Sequence, residues 1–215
     1  MLFVANHTNW WDGFLACLVS ARMGLHFHIL MEARNLERYW MFKWVGALPM
    51  HRESAATAYL DLRRAASVLR RPATGLWVFP QGARRPPQEP ITGTERGAAH
   101  LALGIDRPAT LWPVGFRYVY RGEQIPEAFV WLGQPLALLP GDAHAVARGR
   151  RRRECAAEIE HRLQQTVTEL DRRLAAEELS DFEVLVPGRR SINKRMDRVR
   201  HELGSLTGPF EDRNG

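Results

Sequence analysis

Short apolar runs alternate with longer amphipathic segments along most of the chain. Apolar runs of four to eight residues between turn signals are typical of buried strands, and apolar positions spaced by three or four are typical of helices. This alternation indicates an α/β domain with a mostly parallel central sheet flanked by helices. The pattern predicts strands over 2–5, 26–31, 46–51, 76–79, 110–120 and 129–132, and helices over 10–23, 34–44, 54–71, 95–103 and 143–179.

The last part of the chain is charged and less regular. The helix predicted over 143–179 carries a stripe of aliphatic residues at helical spacing, and five arginines lie between Arg148 and Arg153 near its start. Residues 181–215 mix glycine with charged residues and show no clear period. We therefore expect one domain over 1–180 and a C-terminal extension over 181–215 that packs on it or trails from it.

Composition narrows the class of protein. A chain of 215 residues can bury a core without disulfides, and Cys17 and Cys155 have no spacing that suggests a metal site, so we expect none. The net charge of +6 and the isoelectric point near 10.0 would suit nucleic acid, but no recognition motif accompanies them, so nucleic-acid binding is not expected. No apolar stretch reaches the roughly 20 residues of a membrane span.

A histidine and an aspartate follow the first strand. His7 lies at the exit of the strand and Asp12 follows five residues later. On one continuous helix this spacing is about 140° around the axis, but with His7 in a turn and Asp12 in the first helical turn the side chains can meet. An aspartate that holds one histidine tautomer makes a general base for an alcohol. The alternative is a capping cluster, with Asn9 as the N-cap and Asp12 favouring the helix dipole.

A second polar group follows the strand over 76–79. In open α/β sheets, ligands bind outside the carboxyl ends of the strands, where both this group and His7 are expected. Gly82 allows close approach of the backbone, and Arg84 offers a planar fork for phosphate. The alternative is a solvated turn with surface arginines. The group reads Phe79-Pro80-Gln81-Gly82-Ala83-Arg84-Arg85.

Two weaker groups complete a series of four. One strand begins at Gly46 and leads into Arg52, and another contains Pro113, which predicts an edge strand or a bulge. In this order the four groups resemble the four blocks of the glycerol-phosphate and lysophosphatidate acyltransferase family. Those blocks are Asn-His-x-x-x-x-Asp, a Gly-to-Arg strand, Phe-Pro-Glu-Gly-Thr-Arg and a strand with Val-Pro. The resemblance covers residues 2–136, and the first and third blocks are its specific part.

The resemblance implies a reaction and a set of roles. His7 would take the proton from an acceptor hydroxyl, which then attacks the thioester of acyl-CoA or acyl-carrier protein, while Asp12 holds His7. Backbone N–H groups near Gly82 would stabilise the oxyanion. The thioester is a co-substrate, and neither a resident cofactor nor a metal is implied. The resemblance carries substrate binding over to Arg52, Gln81, Gly82 and Arg84, and it implies that Arg52 and Arg84 grip an acceptor phosphate.

The third block departs from the family pattern at two positions. Gln81 stands where the family has Glu and Ala83 where it has Thr. Gln81 keeps its hydrogen-bonding capacity but has no charge, so the base is intact while a glycerol-phosphate acceptor is put in doubt. Phe-Pro-Gln-Gly resembles a divergent branch with atypical acceptors. We expect a lysophospholipid acceptor, with a glycolipid or carotenoid glycoside as the alternative, and an inactive lipid-binding relative as a further one.

An aromatic and basic segment over 38–44 suits a membrane interface, with ordinary core packing as the alternative. The arginines of 148–153 would add about 1 kcal/mol each on an anionic membrane, with a solvated helix start as the alternative. We therefore expect a peripheral protein at the cytoplasmic face of the cell membrane. Family members commonly carry apolar helices ahead of the first block, so a start upstream of Met1 is left open.

Overall fold

The computed structural model describes residues 1–121, 124–138 and 147–188. A 3₁₀ helix, Trp40–Val45, follows the second α-helix. The strands of the described residues are β1 (Leu2–Ala5), β2 (His26–Glu32), β3 (Ala47–Met50), β4 (Thr74–Val78), β5 (Ala109–Val119), β6 (Glu127–Leu132) and β7 (Leu136–Leu138). The α-helices are α1 (Asp12–Arg22), α2 (Ala33–Arg38), α3 (Ala55–Val68), α4 (Arg96–Gly104) and α5 (Ala147–Ala175).

The strands form one sheet in the order β3-β2-β4-β1-β5-β6, with β7 paired to β5. The pairs among β1 to β5 are parallel, and β7 runs antiparallel to β5. This confirms the predicted α/β class with a mostly parallel sheet flanked by helices. Because β1, β3 and β4 run in the same direction, the residues that follow them lie at the same end of the sheet, beyond the carboxyl ends of these strands.

The central strand β1 is buried because helices cover both of its faces. Alternate side chains of a strand point to opposite faces. Leu2 and Val4 pack with residues of α3, α4 and α5, whereas Phe3 and Ala5 pack with residues of α1. Burying each larger aliphatic or aromatic side chain contributes about 1.5–3 kcal/mol. This two-sided core fixes the position from which the chain leaves β1.

The helix predicted over 34–44 is two shorter elements. The α-helix ends at Arg38, Tyr39 leaves helical geometry with φ −118° and ψ 54°, and a 3₁₀ helix follows. Four of the five large apolar side chains of this second piece are exposed, Trp44 the most at 81%, whereas Phe42 is half-buried. An α-helix is held mainly by packing of its apolar face. The periodicity that predicted one helix therefore reflects an exposed surface and not a core stripe.

The proline expected at an edge or bulge lies inside the sheet. Pro113 pairs with Val4 of β1, and β5 has neighbours on both sides. On its other side β5 pairs with β7 from Ala109 to Leu111 and no further, and Gly133 donates to the carbonyl of Pro113 at 2.8 Å. Pro113 thus lies where β5 changes partner, which makes a missing N–H tolerable. The three-residue β7 was not predicted because it is too short to show a period.

The described residues divide into two units: the first holds those of 1–117 and 129–185, and the second holds 118–121, 124–128 and 186–188. The described part of the second unit includes the last residues of β5 and the first of β6, with an ion pair of Arg121 and Glu127 at 3.5 Å. The domain boundary at residue 180 stays a prediction. Residues 143–146 of the predicted C-terminal helix and 189–215 of the extension lie outside the described residues.

Phe182, at the start of the predicted extension, packs against the rings of Phe129 and Trp131, both at 5.4 Å. Glu183 nearby pairs with Arg22 of α1 at 2.9 Å. No helix among the described residues combines the length and apolar character needed to cross a membrane.

Gly46, between the 3₁₀ helix and β3, tests how closely the chain packs against β2 as it enters β3. Its φ is 102°, and an added Cβ would lie 2.1 Å from the backbone oxygen of Phe27 in β2. We expect Gly46→Ala to lower the free energy of unfolding by about 2–4 kcal/mol, because both backbone strain and a clash are introduced. Gly24→Ala is the matched control, since φ there is 67° with nothing within 4 Å of the added Cβ. It should cost about 1 kcal/mol in urea denaturation, and equal losses would contradict the close approach.

Candidate active site

His7 and Asp12 meet at the carboxyl end of β1. The His7 Nδ1 atom lies 2.8 Å from Asp12 Oδ2. His7 is in the turn after β1, and Asp12 is the first residue of α1, so the chain folds back between them. The side chain of Asp12 is fully buried and that of His7 is 24% exposed. Because a carboxylate only accepts hydrogen bonds, Nδ1 carries the hydrogen, and Nε2 of the neutral ring keeps its lone pair.

The same carboxylate oxygen organises the turn that holds His7. Asp12 Oδ2 also accepts the backbone N–H groups of Thr8 at 2.7 Å and Asn9 at 2.9 Å. The cap position of α1 is Trp11, and it makes no side-chain capping bond. The Asn9 side chain accepts from the N–H of Trp11 at 3.2 Å. The Asp12 carboxylate therefore faces the turn and the imidazole, which differs from the capping alternative.

The loop after β4 holds His7 from its other side. Gln81 Oε1 accepts the backbone N–H of His7 at 2.8 Å, and the N–H of Arg85 donates to the His7 carbonyl at 2.8 Å. The Phe79 ring stacks on the imidazole with centroids 4.4 Å apart. Both backbone polar groups of His7 and one face of its ring are thus fixed by this loop.

Two expected substrate-binding residues also have contacts within the protein. Gln81 is 9% exposed, and its amide orientation is fixed because an N–H donor must meet the amide oxygen. Gly82 has φ 67°, and its N–H donates to the carbonyl of Phe79 at 3.1 Å. The N–H groups of Gly82 and Arg85 are therefore both engaged by carbonyls of the protein itself. Substrate binding by Gln81 and Gly82 stays a prediction.

Arg52, which follows β3, reaches the same turn. Its guanidinium donates to the Gly82 carbonyl at 3.0 Å and pairs with the carboxylate of Glu95. The backbone N–H of Glu95 donates to the Pro80 carbonyl at 2.6 Å, which holds Glu95 beside the turn. Glu95 ends the loop that follows the third block and is the N-cap residue of α4, and no motif in the sequence pointed to it.

Arg84, unlike Arg52, lies at an open groove. It lines an open groove of about 360 Å³, and no ion pair of Arg84 or Arg85 is found among the described residues. The buried hydroxyl of Thr8 has no hydrogen-bond partner there. Two guanidinium groups and a hydroxyl make this groove suitable for an anion. The lining residues are Thr8, Asn9, Trp10, Arg84, Arg85 and Pro86.

Asn6 has a role that the sequence analysis did not assign. Its side chain is buried, donates from Nδ2 to the carbonyl of Phe116 at 3.2 Å and accepts the N–H of Phe116 at 2.7 Å. The amide thus continues the bonding between β1 and β5 by one step beyond the last paired residue, Ala5. This contact fixes the residue immediately before His7.

A second histidine–aspartate pair lies beside Arg52. Asp61 Oδ2 is 2.7 Å from Nδ1 of His51 and accepts the backbone N–H of His51 at 2.9 Å. Burial raises the pKa of Asp61, but the hydrogen bonds from His51 and the charges of His51 and Arg64 outweigh it and leave the pKa below its usual value. The pair ties the end of β3 to α3.

An exposed aromatic surface adjoins the groove. Phe42 of the 3₁₀ helix contacts Trp10 at 6.3 Å and Phe14 of α1 at 5.9 Å between ring centroids. Trp10 also lines the groove, so this surface reaches the groove that begins at Thr8, the residue after His7. We call it the aromatic surface; its residues are Trp10, Trp11, Phe14, Tyr39, Trp40, Met41, Phe42, Trp44 and Val45.

No group of three or more His, Cys, Asp or Glu side chains that could hold a metal ion is found in the part of the chain that the structure describes.

The Asp61 pair makes a prediction about stability and pH. Because the folded-state pKa is lowered, the ionised carboxylate stabilises the fold above about pH 4, and this contribution is lost as the pH falls through the folded-state pKa. We expect Asp61→Asn to lower the free energy of unfolding at pH 7 by about 1–3 kcal/mol and to cost less at pH 3. Urea denaturation at both values measures this.

The matched control is Asp106→Asn, which removes an exposed carboxylate paired with Arg70. It should leave the free energy of unfolding nearly unchanged at either pH. A pH-independent loss in Asp61→Asn would show that shape and not charge holds β3 to α3.

The comparison with known proteins identifies the family of the chain. The family described as Acyltransferase matches residues 1–117, which is more than half of the 215 residues. The matched region contains the His7–Asp12 pair, Arg52 and the loop after β4. No curated protein matches the sequence. The chain belongs to the acyltransferase family.

Proposed function

We propose that this protein is an O-acyltransferase that moves a fatty acyl group from acyl-CoA or acyl-carrier protein to a hydroxyl of a lipid acceptor. Acyl transfer in general follows from the family. The observation that supports transfer to a hydroxyl is the His7–Asp12 pair, in which Nδ1 of His7 is held at 2.8 Å by a buried carboxylate. This leaves Nε2 of a partly exposed ring as a base for an incoming hydroxyl.

In the proposed reaction His7 is the side chain that accepts and returns the proton. His7 Nε2 takes the acceptor proton as the hydroxyl oxygen attacks the thioester carbonyl, and a tetrahedral oxyanion forms. Collapse of the oxyanion forms the ester and breaks the C–S bond, and the imidazolium returns the proton to the leaving thiolate. Asp12 stabilises the imidazolium between these steps. The backbone N–H groups of Ala83 and Arg84 are the proposed donors to the oxyanion.

Two acceptor classes are proposed, each with its own support. A lysophospholipid resembling lysophosphatidate follows from the family resemblance and from the groove beside His7, where Arg84 and Arg85 suit a phosphate. A glycolipid or carotenoid glycoside is the second candidate. It is favoured by the pairing of Arg52 with Glu95, which occupies the other arginine expected to bind phosphate.

A lipid acceptor requires access to a bilayer, and we propose that the aromatic surface provides it at the cytoplasmic face of the cell membrane. Trp40 and Trp44 are 54% and 81% exposed. Arg38 and Lys43, both exposed, lie beside these aromatic residues. Tryptophan next to basic side chains suits the headgroup region of an anionic membrane.

Removal of the base tests the reaction. We expect His7→Ala to lower kcat by about 100- to 10,000-fold, because general base catalysis contributes that much. Asp12→Asn should also lower kcat, since an amide cannot hold the same tautomer. His161→Ala, an exposed histidine of α5, is the matched control and should keep full activity. The assay follows labelled acyl-CoA with glycerol-3-phosphate, lysophosphatidate, other lysolipids and a carotenoid glucoside. Full activity in His7→Ala would contradict the mechanism, and no transfer by folded wild-type protein would favour the inactive lipid-binding relative.

The aromatic surface is tested by vesicle binding. We expect Trp40→Ala with Trp44→Ala to weaken binding to phosphatidylglycerol vesicles about tenfold or more, because each indole loses apolar contact with the bilayer. Co-sedimentation measures the partition. Leu60→Ala removes an apolar side chain of α3 that is 50% exposed and lies off this surface. Equal losses in the two proteins would contradict a membrane role for the aromatic surface.

A further inference from the structure

The ion pair at Arg52 changes the charge that the turn after β4 offers to a substrate. Arg52 donates to the Gly82 carbonyl at 3.0 Å and pairs with Glu95. Glu95 is held there by its own backbone, since its N–H donates to the Pro80 carbonyl at 2.6 Å. The carboxylate also packs so closely on Gly82 that an added Cβ would lie 2.1 Å from Glu95 Oε1. The pair is therefore built into the turn.

An arginine with a fixed counter-ion recognises a different group from an isolated arginine. A phosphate that approaches Arg52 meets the negative charge of Glu95 at the same guanidinium, which weakens its binding. A neutral polyol loses nothing, because its hydroxyl groups can donate to the carboxylate and accept from the guanidinium. The side chains of Arg52 and Glu95 are 44% and 42% exposed, so a ligand can reach both.

Pairing is not a general property of the arginines near His7. Arg84 and Arg85 line the groove, and no ion pair of either is found among the described residues. In the turn itself, Gln81 adds hydrogen-bonding groups but no charge. The Arg52 side of the turn is thus neutral overall, whereas the Arg84 side is positive.

We propose that Glu95 determines acceptor specificity, and that the Arg52–Glu95 pair binds an uncharged polyol headgroup, a sugar or a glycerol, in preference to a phosphate monoester. This inference rests on the proposed acyl transfer and chooses between its two acceptor classes. Glu95 acts on the acceptor directly by accepting hydroxyl hydrogens and repelling phosphate.

The test compares two acceptors that differ only in the phosphate, 1-acylglycerol and 1-acylglycerol-3-phosphate with the same acyl chain, beside an alkyl glucoside. The readout is the ratio of kcat/KM for the neutral acceptor to that for the phosphorylated one. This ratio is measured within one preparation, so the fraction of folded protein cancels. We expect the wild-type protein to favour the neutral acceptors.

Glu95→Gln should shift the ratio about fivefold toward the phosphorylated acceptor, the size expected for one exposed charge. Arg52→Gln should shift it in the opposite direction, because the Glu95 carboxylate then stands alone. Glu89→Gln is the matched control, since it removes an exposed carboxylate from the same loop, and its ratio should equal that of the wild-type protein.

The outcomes separate this inference from the proposed function. Transfer by the wild-type protein that favours the phosphorylated acceptor, or a ratio that Glu95→Gln leaves unchanged, would overturn the role of Glu95 while acyl transfer stands. A shift of the same size in Glu89→Gln would also overturn it, because the effect would then be general electrostatics. Transfer to none of the acceptors would overturn the proposed function and this inference together.

Discussion

The site depends on the buried carboxylate of Asp12, which accepts hydrogen bonds from the turn around it. A fully desolvated charge is costly unless hydrogen bonds compensate for it. Asp12 Oδ2 meets this requirement with the N–H groups of Thr8 and Asn9 and with the imidazole of His7. Because the backbone donors belong to the turn between β1 and α1, the same bonds that solvate the carboxylate also fix the path of the chain. The tautomer of His7 is therefore a consequence of how the turn folds.

The sheet makes that turn rigid. β1 lies between β4 and β5 in parallel pairing, so the segments that follow β1 and β4 are brought side by side. Gln81 and Arg85 then hold the backbone of His7 from one side, and Asn6 extends the bonding to β5 on the other. A base held through its own backbone loses little entropy when it reacts, which favours catalysis by positioning.

What the sequence could predict depends on how local each signal is. The buried strands carry their own apolar pattern, and His7 and Asp12 are close enough in sequence for their meeting to be argued from one turn. The pairing of Arg52 with Glu95 and of His51 with Asp61 depends on loops and helices whose relative positions only the folded sheet sets. The 3₁₀ helix was missed for a different reason: its apolar spacing is helical, but Trp40 and Trp44 are mostly exposed, so burial does not hold an α-helix there.

The same reasoning changes the meaning of the basic composition. A net charge of +6 suggests a general affinity for anions, but many arginines of α5 are neutralised along the helix, as in the pairs of Arg162 with Glu158 at 2.5 Å and Arg173 with Glu169 at 2.7 Å. Beside His7 the contrast is sharper, since Arg52 has a carboxylate partner and the groove arginines have none among the described residues. Recognition at short range is decided by the partner of each guanidinium and not by the net charge of the chain. Counting arginines therefore overestimates the positive charge that this site presents to a ligand, and in the role proposed for Glu95 its carboxylate sets which headgroup the site accepts.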